Sequence, residues 1–178
     1  RLHPLFRLAP PVLVATAVVG AATLLLAGAS ALVQRDIKRV LAYSTISQLG
    51  YMFVALGVGA WSAAVFHLVT HAFFKALLFL AAGVVIHALH DEHDLLAMGG
   101  LRRDLPGAWA AFLVGGAALA GFPLVTAGFF SKDLILHEAF VAAGGFPWLW
   151  LAGLAGVGLT AAYTLRLILL AFHGPRRT

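Results

Sequence analysis

The sequence contains no cysteine. Disulfide frameworks, thiolate metal sites and cysteine nucleophiles are therefore excluded. Charge is nearly as scarce. Asp, Glu, Lys and Arg make up 11% of the 178 residues, against about 25% in a soluble domain, while 62% are hydrophobic. So short a chain cannot hide that much apolar surface from water, which leaves a membrane protein. The formal net charge of +5 raises nucleic acid as a partner. However, the basic residues fall singly or in pairs between apolar runs, with no aromatic-basic stripe. They read as topology signals, and nucleic acid is not expected. Low-complexity segments and internal repeats are also missing.

The chain opens at Arg1 without an initiator Met and closes on Gly174-Pro175-Arg176-Arg177-Thr178 directly after an apolar run. Its first uncharged stretch, 8–34, is too long for the h-region of a signal peptide, which is about 7–15 residues. These ends suggest an internal fragment of a longer polytopic protein.

The uncharged stretch 8–34 suffices for one crossing, at about 1.5 Å per residue against a roughly 30 Å hydrocarbon core. Between 40 and 90 the only formal charge is Lys75. As a single helix that stretch would reach about 77 Å, so it must fold back. Gly57-Val58-Gly59-Ala60-Trp61 is the natural turn, giving spans near 40–58 and 61–89. A polar loop follows at 90–104, and the last span runs over 147–172 with Arg166 inside it.

The stretch 106–143 is overlong for one straight crossing and carries Pro123 between Gly121 and Gly128. Proline removes a backbone bond, and loosened backbone survives in lipid only against protein or a watery cavity. The stretch reads as two half-helices broken around 121–130, with an ordinary proline kink as the alternative. The expected fold is an all-α transmembrane protein of about five helices, one of them broken, forming a single membrane domain over 1–178. Arg35, Lys38, Arg39, Arg102, Arg103, Arg176 and Arg177 then share one side, against Arg1 and Arg7 opposite, which assigns the first set to the cytoplasm.

Ionisable residues inside the bilayer are expensive and mark ion pathways. Lys75, Lys132, Asp133, Glu138 and Arg166 sit within or beside apolar spans, joined by His67, His71 and His87. His67, His71 and Lys75 stand at i, i+4 and i+8, an oblique stripe about 12 Å long on one helix, with Thr70 beside it. Histidine both accepts and donates protons near neutral pH, and burial favours the neutral form of an amine. The stripe suits proton relay with waters between the groups; the alternative is that the histidines merely hydrogen-bond neighbouring helices.

A metal site finds less support. His67 and His71 have helical ligand spacing, but no third ligand is evident, and the cluster at 87–94 reads as a solvated polar loop. Lys132 sits where the broken crossing resumes and can line a hydrated cavity. Ser131 can also N-cap the helix there, with Asp133 favouring its dipole. Arg166 snorkels or pairs with an acid, for which Glu138 is the candidate.

These residues carry a resemblance. The stretch from Asp36 to Tyr51 (DIKRVLAYSTISQLGY) resembles the signature of the antiporter-like membrane subunits of respiratory complex I, NADH-quinone oxidoreductase. Phe66 to Phe79 (FHLVTHAFFKALLF) and Gly121 to Asp133 (GFPLVTAGFFSKD) strengthen it. His87 to His93 (HALHDEH) followed by Met98 to Arg102 (MGGLR) points to the subunit-L branch, counterpart of mitochondrial subunit 5. The resemblance covers essentially the whole chain.

It implies a proton-translocating unit in the bacterial inner (plasma) membrane, driven by redox chemistry in other subunits. Lys75 corresponds to the central-helix lysine, His67 and His71 to the histidines leading to it, and Lys132 to the lysine on the broken helix. The family fold is two inverted five-helix repeats, of which this chain resembles the second. The preceding repeat and the long lateral helix lie outside it. No flavin, nicotinamide or Fe–S motif is present. Flavin and Fe–S clusters are therefore expected only in partner subunits, the expected partners are the other membrane and hydrophilic subunits of the complex, and any oxidoreductase activity belongs to the assembly. A cation/proton antiporter or bicarbonate-uptake subunit is the alternative.

Overall fold

The computed structural model describes residues 3–141 and 147–177. Arg1 and Ala143, both used in the expectations above, lie outside the described residues. A short helix α1 (His3–Arg7) leads into α2 (Pro10–Val33), α3 (Ile37–Gly57), α4 (Trp61–Ala88), α5 (Pro106–Ala120), α6 (Ala127–Val141) and α7 (Pro147–Phe172). Among the described residues there is no strand. Four helices, α2, α3, α4 and α7, are long and apolar enough to cross a membrane. The fifth crossing is the pair α5 and α6. The chain is a multi-pass, all-α membrane protein.

Its surface is inverted relative to a soluble domain. Phe73, Leu80 and Leu26 are each more than 70% exposed, whereas Gln48, His67, Lys75, Ser131 and Lys132 are buried. Lipid tails accept the first set, and only protein can satisfy the second.

Local chemistry sets most helix boundaries. Proline at the first positions starts α2 and α5, where the missing N–H costs nothing. The Asp36 side chain caps α3 by accepting from Arg39 N at 3.0 Å. The turn at Gly57–Trp61 falls where the sequence places it, with Gly59 at φ +81°. Helices α2 and α3 then meet backbone to backbone. A Cβ on Gly20 would come 2.7 Å from Val54 N, and one on Gly50 would come 2.6 Å from Leu24 N, so both positions require glycine.

The loop between α4 and α5 closes one end of the bundle. Leu95, Met98 and Leu101 turn inward and are buried with Phe112 and Phe172. Backbone bonds tie this loop to the α2–α3 turn, Ile37 N to His93 O at 3.0 Å and Leu95 N to Arg35 O at 2.8 Å. The C-terminal tail joins them through Arg102 N to Phe172 O at 3.2 Å and the Arg176–Asp104 ion pair at 3.3 Å. The three segments that carry the seven cations thus share one end.

The break is real but shorter than expected. It spans 121–126, and 127–130 are already helical, whereas the sequence reading extends it to 130. Gly121 adopts the left-handed conformation (φ +78°) and ends α5, its N–H bonding Ala117 O. Thr126 restarts the chain, its hydroxyl accepting from Phe129 N at 3.3 Å. Gly128 then packs against the Ala118 carbonyl so closely that any Cβ would collide with it.

Candidate functional site

The middle of α4 presents His67, His71 and Lys75 to the bundle interior, at 0%, 6% and 5% exposure. Lys75 lies about 21 Å of helix from Trp61 and about 20 Å from Ala88, so it sits at the midpoint of its crossing. Its ammonium donates to Leu41 O and to Ser44 Oγ of α3, each at 2.7 Å, and lies 5.0 Å from the centre of the Phe79 ring. The His71 ring stands edge-on to Phe74 and 6.1 Å from the His67 ring; its Nε2 has no hydrogen-bond partner among the described residues.

Lys132 enters from α6. It is buried, donates to the carbonyl of Leu119 and lies 5.7 Å from the centre of the Tyr51 ring. Leu119 is in the last turn of α5, where carbonyls lack an intrahelical partner. The break thus provides the acceptor for the lysine that follows it. Among the described residues neither lysine has a carboxylate within ion-pair distance.

Ser131 connects the two sets. Its Oγ lies 2.8 Å from His67 Nδ1 and 3.3 Å from Gly128 O, and it accepts from Thr70 Oγ1 at 3.3 Å. It is therefore no helix cap; it sits in the second turn of α6, fully buried, and Thr126 caps instead. The other His67 nitrogen, Nε2, meets Gln48 Oε1 at 3.1 Å. All four sequence-selected residues, His67, His71, Lys75 and Lys132, thus face one interior. Ser131, Gln48, Ser44 and Thr160 complete it. For Ser44 and Gln48 the signal was present on α3, where Ser44, Gln48 and Tyr51 recur at helical spacing.

Other candidates lie elsewhere. His87 is exposed at the end of α4, and Asp133 points out of the bundle. Arg166 donates to Gln34 O at 2.8 Å, so its partner is the C-terminal end of α2, where a cation is favoured, rather than Glu138. In the 87–94 loop, Glu92 accepts from the backbone N–H groups of His93 and Asp94 at 2.8 and 2.7 Å, and His93 Nδ1 lies 3.5 Å from Asp36 Oδ2. Its polar groups organise the loop itself.

Residues 1–160 match the family model described as NADH:quinone oxidoreductase/Mrp antiporter, TM. NADH-quinone oxidoreductase subunit L of Pseudomonas aeruginosa is 64% identical over 100% of this chain and 29% of its own length. The Escherichia coli subunit L is 62% identical over 98% of this chain and 28% of its own. The chain thus spans under a third of the curated relatives it matches. Among solved structures, a chain of the Mrp complex from Dietzia sp. DQ12-45-1b superposes with a TM-score of 0.84 at 27% identity, covering 92% of this chain and 30% of that one. On these grounds the chain belongs to the NADH:quinone oxidoreductase/Mrp antiporter transmembrane family.

Proposed function

We propose that this chain relays protons at mid-membrane as part of subunit L of an NADH-quinone oxidoreductase in a bacterial inner membrane. In this reading it forms the second of two inverted five-helix repeats. Flavin and Fe–S chemistry resides in partner subunits, and the chain itself does no redox chemistry. One observation carries the reading: a single buried file of titratable and hydroxyl groups joins the broken crossing to the middle of α4, with no acid in it. The order is Lys132 and Ser131 on α6, then His67, His71 and Lys75 on α4. Two buried amines held by carbonyls and a hydroxyl are costly while permanently charged, and their cost falls when each is neutral part of the time. A file of groups that exchange protons supplies that neutral time.

The test is made in the assembled complex. Lys75→Ala and Lys75→Arg should both depress proton pumping strongly, because guanidinium keeps its proton at any accessible pH. Pumping at the wild-type rate in Lys75→Arg would make the lysine structural.

The structural likeness to the Mrp complex supports a second reading, a cation/proton antiporter module. Co-purification distinguishes the two, since hydrophilic flavin and Fe–S subunits accompany only the first.

A further inference from the structure

His67 is held at both ring nitrogens, and the two partners differ. The Ser131 hydroxyl at Nδ1 can give or take a hydrogen, whereas the Gln48 carbonyl oxygen at Nε2 can only take one. Which end of the Gln48 amide faces the ring is decided at its other end. Thr160 Oγ1 gives its own hydrogen to Gly156 O at 2.7 Å, leaving lone pairs for Gln48 Nε2 at 3.4 Å. Donor order assigns both the amide orientation and the imidazole tautomer. It runs one way, from His67 Nε2–H through the Gln48 amide and the Thr160 hydroxyl, and ends on a carbonyl that has no hydrogen to return. His67, Gln48, Thr160 and Ser131 are all fully buried, so bulk water does not compete for these bonds.

We propose that Gln48 and Thr160 are positioning residues that hold neutral His67 in its Nε2–H tautomer, so that the Nδ1 lone pair stays turned to Ser131 as the proton acceptor. This rests on the relay reading and deepens it. In the step it implies, Ser131 passes its hydroxyl hydrogen to Nδ1 and regains one from the Lys132 ammonium by way of intervening water, Lys132 becoming the neutral amine. His67 becomes imidazolium and Ser131 is unchanged. The bond at Nε2 must break before the proton moves on towards His71, because an amide oxygen is too weak a base to take it. The other titratable groups around His67 are Tyr51 on α3, His71 on α4 and Lys132 on α6, with Lys75 beyond His71, while Tyr163 of α7 faces Gln48 and Thr160.

The experiment uses the full-length subunit in the assembled, reconstituted complex, and reads proton uptake per NADH oxidised. Thr160→Val keeps the shape but removes the acceptor, freeing the Gln48 amide to turn its N–H towards Nε2 and fill Nδ1 with hydrogen. Proton uptake should fall roughly three- to tenfold, the value of one hydrogen bond in tautomer populations. Thr160→Ser should restore it. Gln48→Leu should cause a similar loss, and adding Thr160→Val to Gln48→Leu should cost nothing further, since the pair acts as one unit. Lys75→Ala separates the two levels. Wild-type uptake in Thr160→Val, with Lys75→Ala defective, overturns the tautomer lock and leaves the relay standing. Additive losses in the double variant, or no rescue by Thr160→Ser, also overturn the lock. Wild-type uptake in Lys75→Ala overturns the relay and the lock together.

Discussion

Lys132 hydrogen-bonds the carbonyl of Leu119, a residue on the far side of the break in its own crossing. The amine thus completes the end of α5 while being carried by α6, and any change in the join between the two half-helices reaches it directly. Gly128 sets that join, with its Cα pressed on the Ala118 carbonyl.

Gly128→Ala should therefore destabilise the assembled complex by about 1–3 kcal/mol, the usual cost of forcing a methyl into a packed site. Gly83→Ala is the control: a Cβ there meets nothing within 4 Å, and alanine is the better helix former. Thermal denaturation of the two variants side by side should show an early transition only for Gly128→Ala.

Ser131→Ala removes the hydroxyl between α6 and His67 Nδ1. Proton pumping should drop by roughly tenfold, the equivalent of one buried hydrogen bond left unmade. A dye that reports ΔpH across proteoliposomes measures it. Normal pumping would exclude Ser131 from the file.

Much of this arrangement was legible in the sequence. The crossings follow from where charge is absent, and the stripe from helical spacing within a run that has one charge. The end of the break was not legible, because Phe129 and Phe130 look alike in a loop and in a helix; the Thr126 hydroxyl and the approach of Gly128 decide it. Ser131 resembled a cap beside Lys132 and Asp133, and only the packing of α6 on α4 turns it inward. Gln48 belongs to the polar stripe of α3, but Thr160 lies 112 positions further on in α7, and nothing short of the fold brings the two together. Arg166 needs neither an acid nor the interface, because the C-terminal end of a helix serves a cation as well.

The three segments that share one end of the bundle should face the cytoplasm. Single cysteines test this against a clean background within the segment, as the chain has none of its own. Gln34→Cys should react with a membrane-impermeant maleimide only from the cytoplasmic side, and labelling only from outside would reverse the orientation.

The His93–Asp36 pair should matter little. Both side chains are about one-third exposed, and such pairs contribute about 0–1 kcal/mol. Backbone bonds on either side of it already tie the loops together. His93→Ala should leave the melting temperature of the complex nearly unchanged, and a large drop would show that the side chain, not the backbone, holds the latch.

The glycine seam between α2 and α3 has a mechanical consequence. Two helices in contact through their backbones have no side chains to yield between them, so neither can slide or roll past the other. They form a fixed plate. Lys75 takes both of its acceptors, Leu41 O and Ser44 Oγ, from that plate. Lys132 takes its acceptor, Leu119 O, from the last turn of α5 across the break. The two amines at the ends of the file are thus held from different places: one by the neighbouring plate, and the other by the preceding half of its own crossing, which Gly128 locks to α6.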